Sequence, residues 1–197
     1  MTRTPAAAAV LTLPLETPRL ILRRLIASDA AAFAAYRSDP AVARYQNWEH
    51  CTLDEASAFI RRQRRRAAGA PGQWTQIGLT LRESGALIGD CGVFAHPDAR
   101  QAAIGITLAQ PYQGRGYATE SLTALLDHLL LHAGLDRVEA DVDPRNRPSW
   151  SLLDRLGMRR EGHRIQSQWF KGHWADEYLY AILRGEWLAR RQPPASA

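Results

Sequence analysis

The sequence predicts a mixed α/β domain, a mostly antiparallel sheet flanked by helices in the order β-α-α-β-β-β-α-β-α-β-β. Three observations carry that reading. Three strand-like runs between Trp74 and Leu108 follow one another with turn signals between them. Leu122, Leu125, Leu126, Leu129, Leu130 and Ala133 then recur at helical spacing. Two more strands close the pattern around Lys171-Gly172. Size agrees with one domain: 197 residues, 46% hydrophobic and 23% charged, bury a sizeable core and exclude a disordered chain. No apolar run approaches the length of a membrane span.

Residues 1–14 read as a tail, 15–190 as the domain and 191–197 as a second tail. Ala6 to Leu13 is apolar but short and ends at Pro14, a poor match to a signal peptide. Arg19 to Leu25 is the first strand. Ser28 offers a helix cap, with Asp29 in the first turn, and the helix runs through Tyr36 until Asp39-Pro40 breaks it. Thr52 with Glu55 makes a capping box for the second helix, which ends in the arginines between Arg61 and Arg66 before Gly69. Trp74 to Leu81, Ala86 to Phe94 and Ala102 to Leu108 form the antiparallel meander. The long helix starts near Thr119 and stops at Gly134. Arg137 to Val142 is a strand, and Pro148 to Leu156 a short helix closed by Gly157. Arg160 to Phe170 and Trp174 to Leu183 are the last strands.

The formal charge is +5, and Lys171 is the only lysine among 25 basic side chains. A positive excess suits an anionic partner, but a bias toward arginine and alanine is the better account of most of it. The arginine run near residue 64 reads as a solvated helix end, since no aromatic residue is interleaved for base stacking. Cys51 and Cys91 are isolated, which disfavours a disulfide framework or a zinc site and makes a reducing cytoplasm the expected compartment. Cys91 reads as a small core residue.

Gln110 to Thr119 joins a strand to the long helix. Gly114 and Gly116 let the backbone turn tightly. The amides there, with the positive end of the helix and Arg115, make a site suited to a pyrophosphate. A P-loop is excluded because Tyr117-Ala118 follows the second glycine where Lys and Ser or Thr are required. A dinucleotide fingerprint needs three glycines in an early β-α-β unit. A plain strand-to-helix turn fits the same loop equally well.

With this loop in place the chain resembles the GNAT superfamily of acyl-CoA N-acyltransferases. Gln113-Gly-Arg-Gly116-Tyr-Ala118 fits its signature of Gln or Arg, two residues, Gly, one residue, then Gly or Ala. Leu15-Glu-Thr-Pro-Arg-Leu-Ile-Leu-Arg23 and Ile88-Gly-Asp-Cys-Gly92 are similar to strands of the branch that acetylates ribosomal-protein N-termini (RimJ/RimL-type). Asp143-Pro-Arg-Asn-Arg-Pro-Ser149 with Leu153-Asp-Arg-Leu-Gly157 matches its Asn-x-x-Ser and Leu-Gly-Phe region, Met158 replacing the Phe. The likeness covers roughly residues 15–185.

The resemblance implies a single GNAT-like domain that takes acetyl-CoA as cosubstrate and needs no metal. Gln113, Gly114, Arg115, Gly116, Tyr117 and Ala118 would hold the pyrophosphate, and Thr119 would cap the helix. Ile106, Thr107 and Leu108 would pair with the pantetheine arm through their backbone. Asn146 would contact the same arm, and Ser149 would stand near the sulfur as the catalytic group that meets the thiolate. A turn and a helix cap explain Asn146 and Ser149 equally well. Leu153 stands where many members carry a tyrosine acid, and Gln168 where this branch often carries a glutamate base. The base is therefore unassigned. Two aromatic loops are expected to build the acceptor side, through Tyr45, Trp48 and Glu49 and through Trp169 and Trp174, with His50 and His173 as further acid/base candidates. The partner is an amine, either a protein N-terminus or a small molecule. A homodimer is allowed for, and neither a stable nucleic-acid partner nor a membrane is expected. A non-catalytic acyl-CoA binder and a basic RNA-associated module are the rival readings.

Overall fold

The computed structural model describes residues 10–192. One eight-stranded sheet runs β1 (Leu15–Glu16), β2 (Leu20–Arg24), β3 (Trp74–Leu81), β4 (Leu87–Ala95), β5 (Gln101–Leu108), β6 (Arg137–Val142), β8 (His173–Leu183), β7 (Arg159–Phe170). Every neighbouring pair is antiparallel except β5 with β6. This is the mixed, mostly antiparallel architecture expected from the sequence.

Helices α1 (Ala30–Arg37), α2 (Pro40–Ala43) and α3 (Leu53–Arg64) carry Phe33, Tyr36, Val42 and Ile60 into a core on one face of the sheet, with Leu25 and Leu87. The larger core lies on the other face. There α4 (Tyr117–Leu126), α5 (Arg147–Arg155) and α6 (Arg184–Arg191) bury Leu122, Leu125, Leu152 and Trp187 against Leu20, Ile77, Val93 and Val138. Asp127–His132 continues α4 as a π-helical turn. A fully buried Leu or Phe side chain contributes about 1.5–3 kcal/mol, so these two cores dominate the stability.

The local signals behave as their chemistry requires. Thr52 Oγ1 accepts from the Glu55 amide at 3.2 Å and the Glu55 carboxylate accepts from the Thr52 amide at 2.8 Å. Such a cap stabilises a helix by about 1 kcal/mol. At the far end of α3, the Arg24 guanidinium donates to the carbonyls of Gln63, Arg64 and Arg66, while the arginines of the run stay exposed. Lys171 and Gly172 both have positive φ, 47° and 81°, which suits a two-residue hairpin between β7 and β8.

Several expectations shift. Ser28 caps nothing; Asp29 does the work, accepting from the Ile26 amide at 2.8 Å and pairing with Arg23 through two bonds. Burial pushes the Asp29 carboxyl up, but those donors outweigh it and hold it below its ordinary range. Leu15–Glu16 adds a strand that two residues of sequence could not announce. Val10 and Leu11 lie buried in the larger core, although the sequence reads as a tail to residue 14; residues 1–9 of that tail, and 193–197 of the second, lie outside the described residues. Helix α6 escapes the sequence reading because Trp187 is its one buried side chain. Cys91 is buried and its thiol is pushed well above the usual range by that burial and by Asp90, as befits a core residue.

Candidate active site

The parallel strands β5 and β6 pair at only three positions, Gln101 with Arg137, Ala102 with Val138 and Ala103 with Glu139. Beyond them β5 stays paired with β4 as far as Leu108, and β6 with β8 as far as Val142. The sheet therefore splits between Ile104–Leu108 and Ala140–Val142. In a strand every second residue turns its N–H and C=O to the same side, so the split leaves strand backbone on β5 without a neighbouring strand.

A cavity of about 480 Å³ fills the split. Its walls come from both faces. On the face of α4 and α5 they are Leu122, Asn146, Ser149, Leu152 and Leu153. On the face of α1 and α3 they are Arg37, Trp48, Phe59 and Gln76. Gly105 lines the gap itself, and a Cβ there would meet nothing within 4 Å. Two contacts bridge the split on the second face: Tyr45 Oη donates to the Arg145 carbonyl at 3.2 Å, and Lys171 Nζ to the Ala43 carbonyl at 2.9 Å.

The glycine loop lies at the N-terminus of α4, on the first face. Gly114 and Gly116 take φ of 72° and 81°, a region that L side chains avoid. Gly116 is the helix cap, so α4 begins at Tyr117 and Thr119 falls inside its first turn; the expected Thr119 cap is not formed. The backbone amides of residues 114 to 119 meet no protein acceptor among the described residues. Free amides at a helix N-terminus are the donor set that a phosphate requires. Gln113 faces inward instead: its Nε2 donates to the Leu108 carbonyl at 2.9 Å, fastening the loop to the end of β5. Leu108 is thereby held, and it does not line the cavity, whereas Ile106 and Thr107 do.

Arg19 clamps this loop, a role that sequence spacing hides because its partners lie about a hundred residues away. Its guanidinium donates to Glu120 at 2.6 Å and to the Arg115 carbonyl at 3.0 Å, and lies 4.4 Å from the Tyr117 ring centre. Thr17 Oγ1 donates to the same carboxylate at 2.6 Å. Burial pushes the Glu120 carboxyl up, yet Thr17 and Arg19 outweigh it and hold it below the usual range. Arg115 itself is exposed beside the loop.

Asn146 caps α5, its side chain accepting from the Ser149 amide at 3.4 Å, and both residues line the cavity. The capping role and the cavity position therefore coexist. Leu153 fills its place with a buried hydrocarbon wall.

The face of α1 carries different chemistry. Asp90 is fully buried and accepts from Tyr36 Oη at 2.5 Å, Arg37 at 3.0 Å and Gln76 at 2.9 Å. Arg37 is sandwiched 4.1 Å from the Phe33 ring centre and 4.0 Å from that of Trp48. Its Nε is buried without a partner among the described residues. Four carboxylates line the cavity: Asp141, Asp143, Asp176 and Glu177. Asp143 is held by Arg145 at 2.6 Å, which outweighs burial and keeps it below its ordinary range. Asp176 is lowered by the Gln166 amide and by His163 at 2.7 Å. Asp141 goes the other way, pushed up by burial and then by Glu177.

Of the expected acceptor residues, Tyr45 and Trp48 line the cavity together with Gln168. Glu49, Trp169 and Trp174 do not, nor does His50 or His173. The two tryptophans are exposed and pack edge to face, 5.5 Å between ring centres, at the tip of the β7–β8 hairpin. Their neighbours Phe170 and Ala175 do reach the cavity. Neither cysteine lines it.

The family described as "Acetyltransferase (GNAT) domain" matches residues 19–159. The chain is similar to an uncharacterized N-acetyltransferase, p20, of Bacillus licheniformis, 32% identical over 174 residues, covering 88% of this chain and 97% of the relative. It is 32% identical over 88 residues to the [ribosomal protein uS5]-alanine N-acetyltransferase of Escherichia coli, 45% of each chain. Its fold matches the structure of Mycobacterium smegmatis RimJ in complex with CoA-disulfide, with a TM-score of 0.73 and 25% identity over 87% of this chain and 88% of that one.

Proposed function

The chain belongs to the GNAT acetyltransferase family, and from that premise we propose that it moves an acetyl group from acetyl-CoA to a primary amine by direct attack. The observation that carries the donor half is the run of free amides at residues 114 to 119 at the N-terminus of α4; these residues do not themselves line the cavity, which α4 reaches at Leu122 and β5 at Ile106 and Thr107. Phosphates suit the loop, and an arm with amides of its own suits an unpaired strand edge. Gly114, Arg115, Gly116, Tyr117, Ala118 and Thr119 would hold the pyrophosphate. Ile106 and Thr107 would carry the pantetheine arm, with Asn146 beside it. Gln113 and Leu108 serve by fastening the loop rather than by touching the ligand.

The acceptor enters from the face of α1 and α3. A chain with a net charge of +5 nevertheless lines this cavity with four carboxylates against one arginine; Arg37 is paired with Asp90, Asp143, Asp176 and Glu177 have basic side chains beside them, and Asp141 is left unpaired among the described residues. Local charge of that sign draws an ammonium. The acceptor is a protein N-terminus or a small amine, and Tyr45, Trp48 and the exposed pair Trp169 and Trp174 give its remainder an aromatic surface. Ser149, on the donor face, stands ready to give its hydroxyl proton to the departing thiolate.

Calorimetric titration with acetyl-CoA tests the donor half. The wild type binds, and Gly116→Trp, which puts a large side chain among the amides, does not. Equal binding by both proteins, or none by either, removes the reading.

A further inference from the structure

We infer that Asp141 is the group that takes the proton from the acceptor ammonium. This rests on the acetyl-transfer reading and supplies what the sequence left unassigned, since Gln168 occupies the place of the branch's usual glutamate and an amide cannot accept that proton.

Position comes first. Asp141 lies on β6 two residues past Glu139, the last residue paired with β5, so it stands on the lip of the split. It pairs with Leu179 of β8, which puts its side chain on the same sheet face as Glu177 and Glu139. Its neighbours Ala140 and Val142 point the other way, into the core beneath α4. Asp141 therefore faces the acceptor side, while Ser149 approaches from the donor side on α5. Gln168 pairs with Ala175, two residues from Glu177, and shares that face.

The other carboxylates on the cavity are already engaged. Asp143 is held by Arg145, Asp176 by His163 and the Gln166 amide, and Glu177 accepts from Ser167 Oγ at 2.9 Å with Arg164 at 3.8 Å. Asp141 has no hydrogen bond or ion pair among the described residues. A carboxylate without donors keeps its lone pairs for a proton; Asp141 is open to solvent in the cleft, and the protein around it with Glu177 nearby strengthens its hold on one.

The proton balance is simple. The ammonium gives one proton to the Asp141 carboxylate, directly or through one water. The neutral nitrogen then bonds the acetyl carbon while the carbon–sulfur bond breaks. The nitrogen's second proton goes to the departing sulfur, by way of Ser149, and Asp141 returns its proton to solvent. The products are one amide, one thiol and one released proton.

The test is the kcat profile against pH of the full chain with an amine that the wild type acetylates. The groups facing Asp141 are Glu139 on β6, Asp143 just past its end, Glu177 on β8, Arg164 on β7 and Arg37 and Tyr45 from the α1 face, while Asp176 lies on the opposite face of β8. Asp141→Asn should lower kcat about a hundredfold. It should also erase the fall of kcat on the acid side, leaving acetyl-CoA affinity and the thermal midpoint unchanged. Adding Gln168→Glu to that variant should restore at least a tenth of the activity, which a purely structural role for Asp141 would not allow. An Asp141→Asn enzyme with wild-type kcat and an unchanged acid limb overturns the assignment alone. A wild type that acetylates no amine overturns the acetyl-transfer reading, and the assignment with it.

Discussion

The two faces of the split sheet offer opposite chemistry to a ligand. On the face of α4 the free groups are backbone amides, and side chains serve to hold that backbone: Gln113 ties the loop to β5, and the Arg19–Glu120–Thr17 clasp ties it to the start of β2. On the face of α1 side chains line the cleft, with Asp141, Asp143, Glu177 and the ring of Trp48 set over a buried Asp90 network. The difference suits the proposed ligands. Phosphates need many weak donors at fixed spacing, which a helix N-terminus gives without any side chain. An amine needs one acceptor placed at one point, which only a side chain can give. Charge therefore has to be read by place: a net of +5 says nothing of a cavity whose lining is acidic.

The largest way to break the contrast is to remove its buried anchor. Asp90→Leu strands the Arg37 guanidinium among aromatic rings, and we expect a loss of about 3–5 kcal/mol in urea unfolding. Adding Arg37→Met should recover much of that loss, because an apolar pair leaves no unpaired charge. Next comes the gap between the faces. A Cβ at Gly105 would meet nothing within 4 Å, and the space beyond it is the open cavity, so Gly105→Leu should keep the thermal midpoint. The side chain would fill the channel, however, and weaken acetyl-CoA binding by about a hundredfold, close to 2.7 kcal/mol.

The clasp on the donor side gives a smaller, pH-dependent effect. The Glu120 carboxyl is lower in the folded chain than in the unfolded one, so the clasp stabilises the fold above the unfolded value of about 4.3. That stability is lost as pH falls through the folded value. Glu120→Gln should therefore cost about 1 kcal/mol at pH 7, since Arg19 is half exposed, and almost nothing once the wild-type carboxyl is protonated. Thermal midpoints at both pH values check the difference. Smallest of all, Trp169→Ala should raise KM for a peptide acceptor about threefold and leave kcat and acetyl-CoA affinity alone, because the ring lies outside the cavity.

What the sequence showed plainly was local. The Thr52–Glu55 box, the leucine period of α4, the Lys171-Gly172 turn and the glycine loop each fit within a few residues, where spacing and geometry are tightly linked. What it hid was distant or fragmentary. Arg19 meets Glu120 across 101 residues, and Tyr36 meets Asp90 across 54. No periodicity reports such pairs. The aromatic loops illustrate the same limit: residue type suggested Trp169 and Trp174 for the cavity, but strand alternation and the hairpin turn bring Gln168 and Phe170 to it instead. Asp141 lies inside a strand, and no local signal marks the split beside it.

The central claim is that one cleft joins an anion-binding loop to an acidic amine site for acetyl transfer. Incubation of the full chain with acetyl-CoA and a pool of small amines and N-terminal peptides, followed by mass spectrometry and thiol release, tests it most directly. The account predicts an amine that gains one acetyl group, with free thiol in equal amount, and loss of both in Gly116→Trp. Acetyl-CoA that binds tightly while no amine in the pool gains an acetyl group would contradict it.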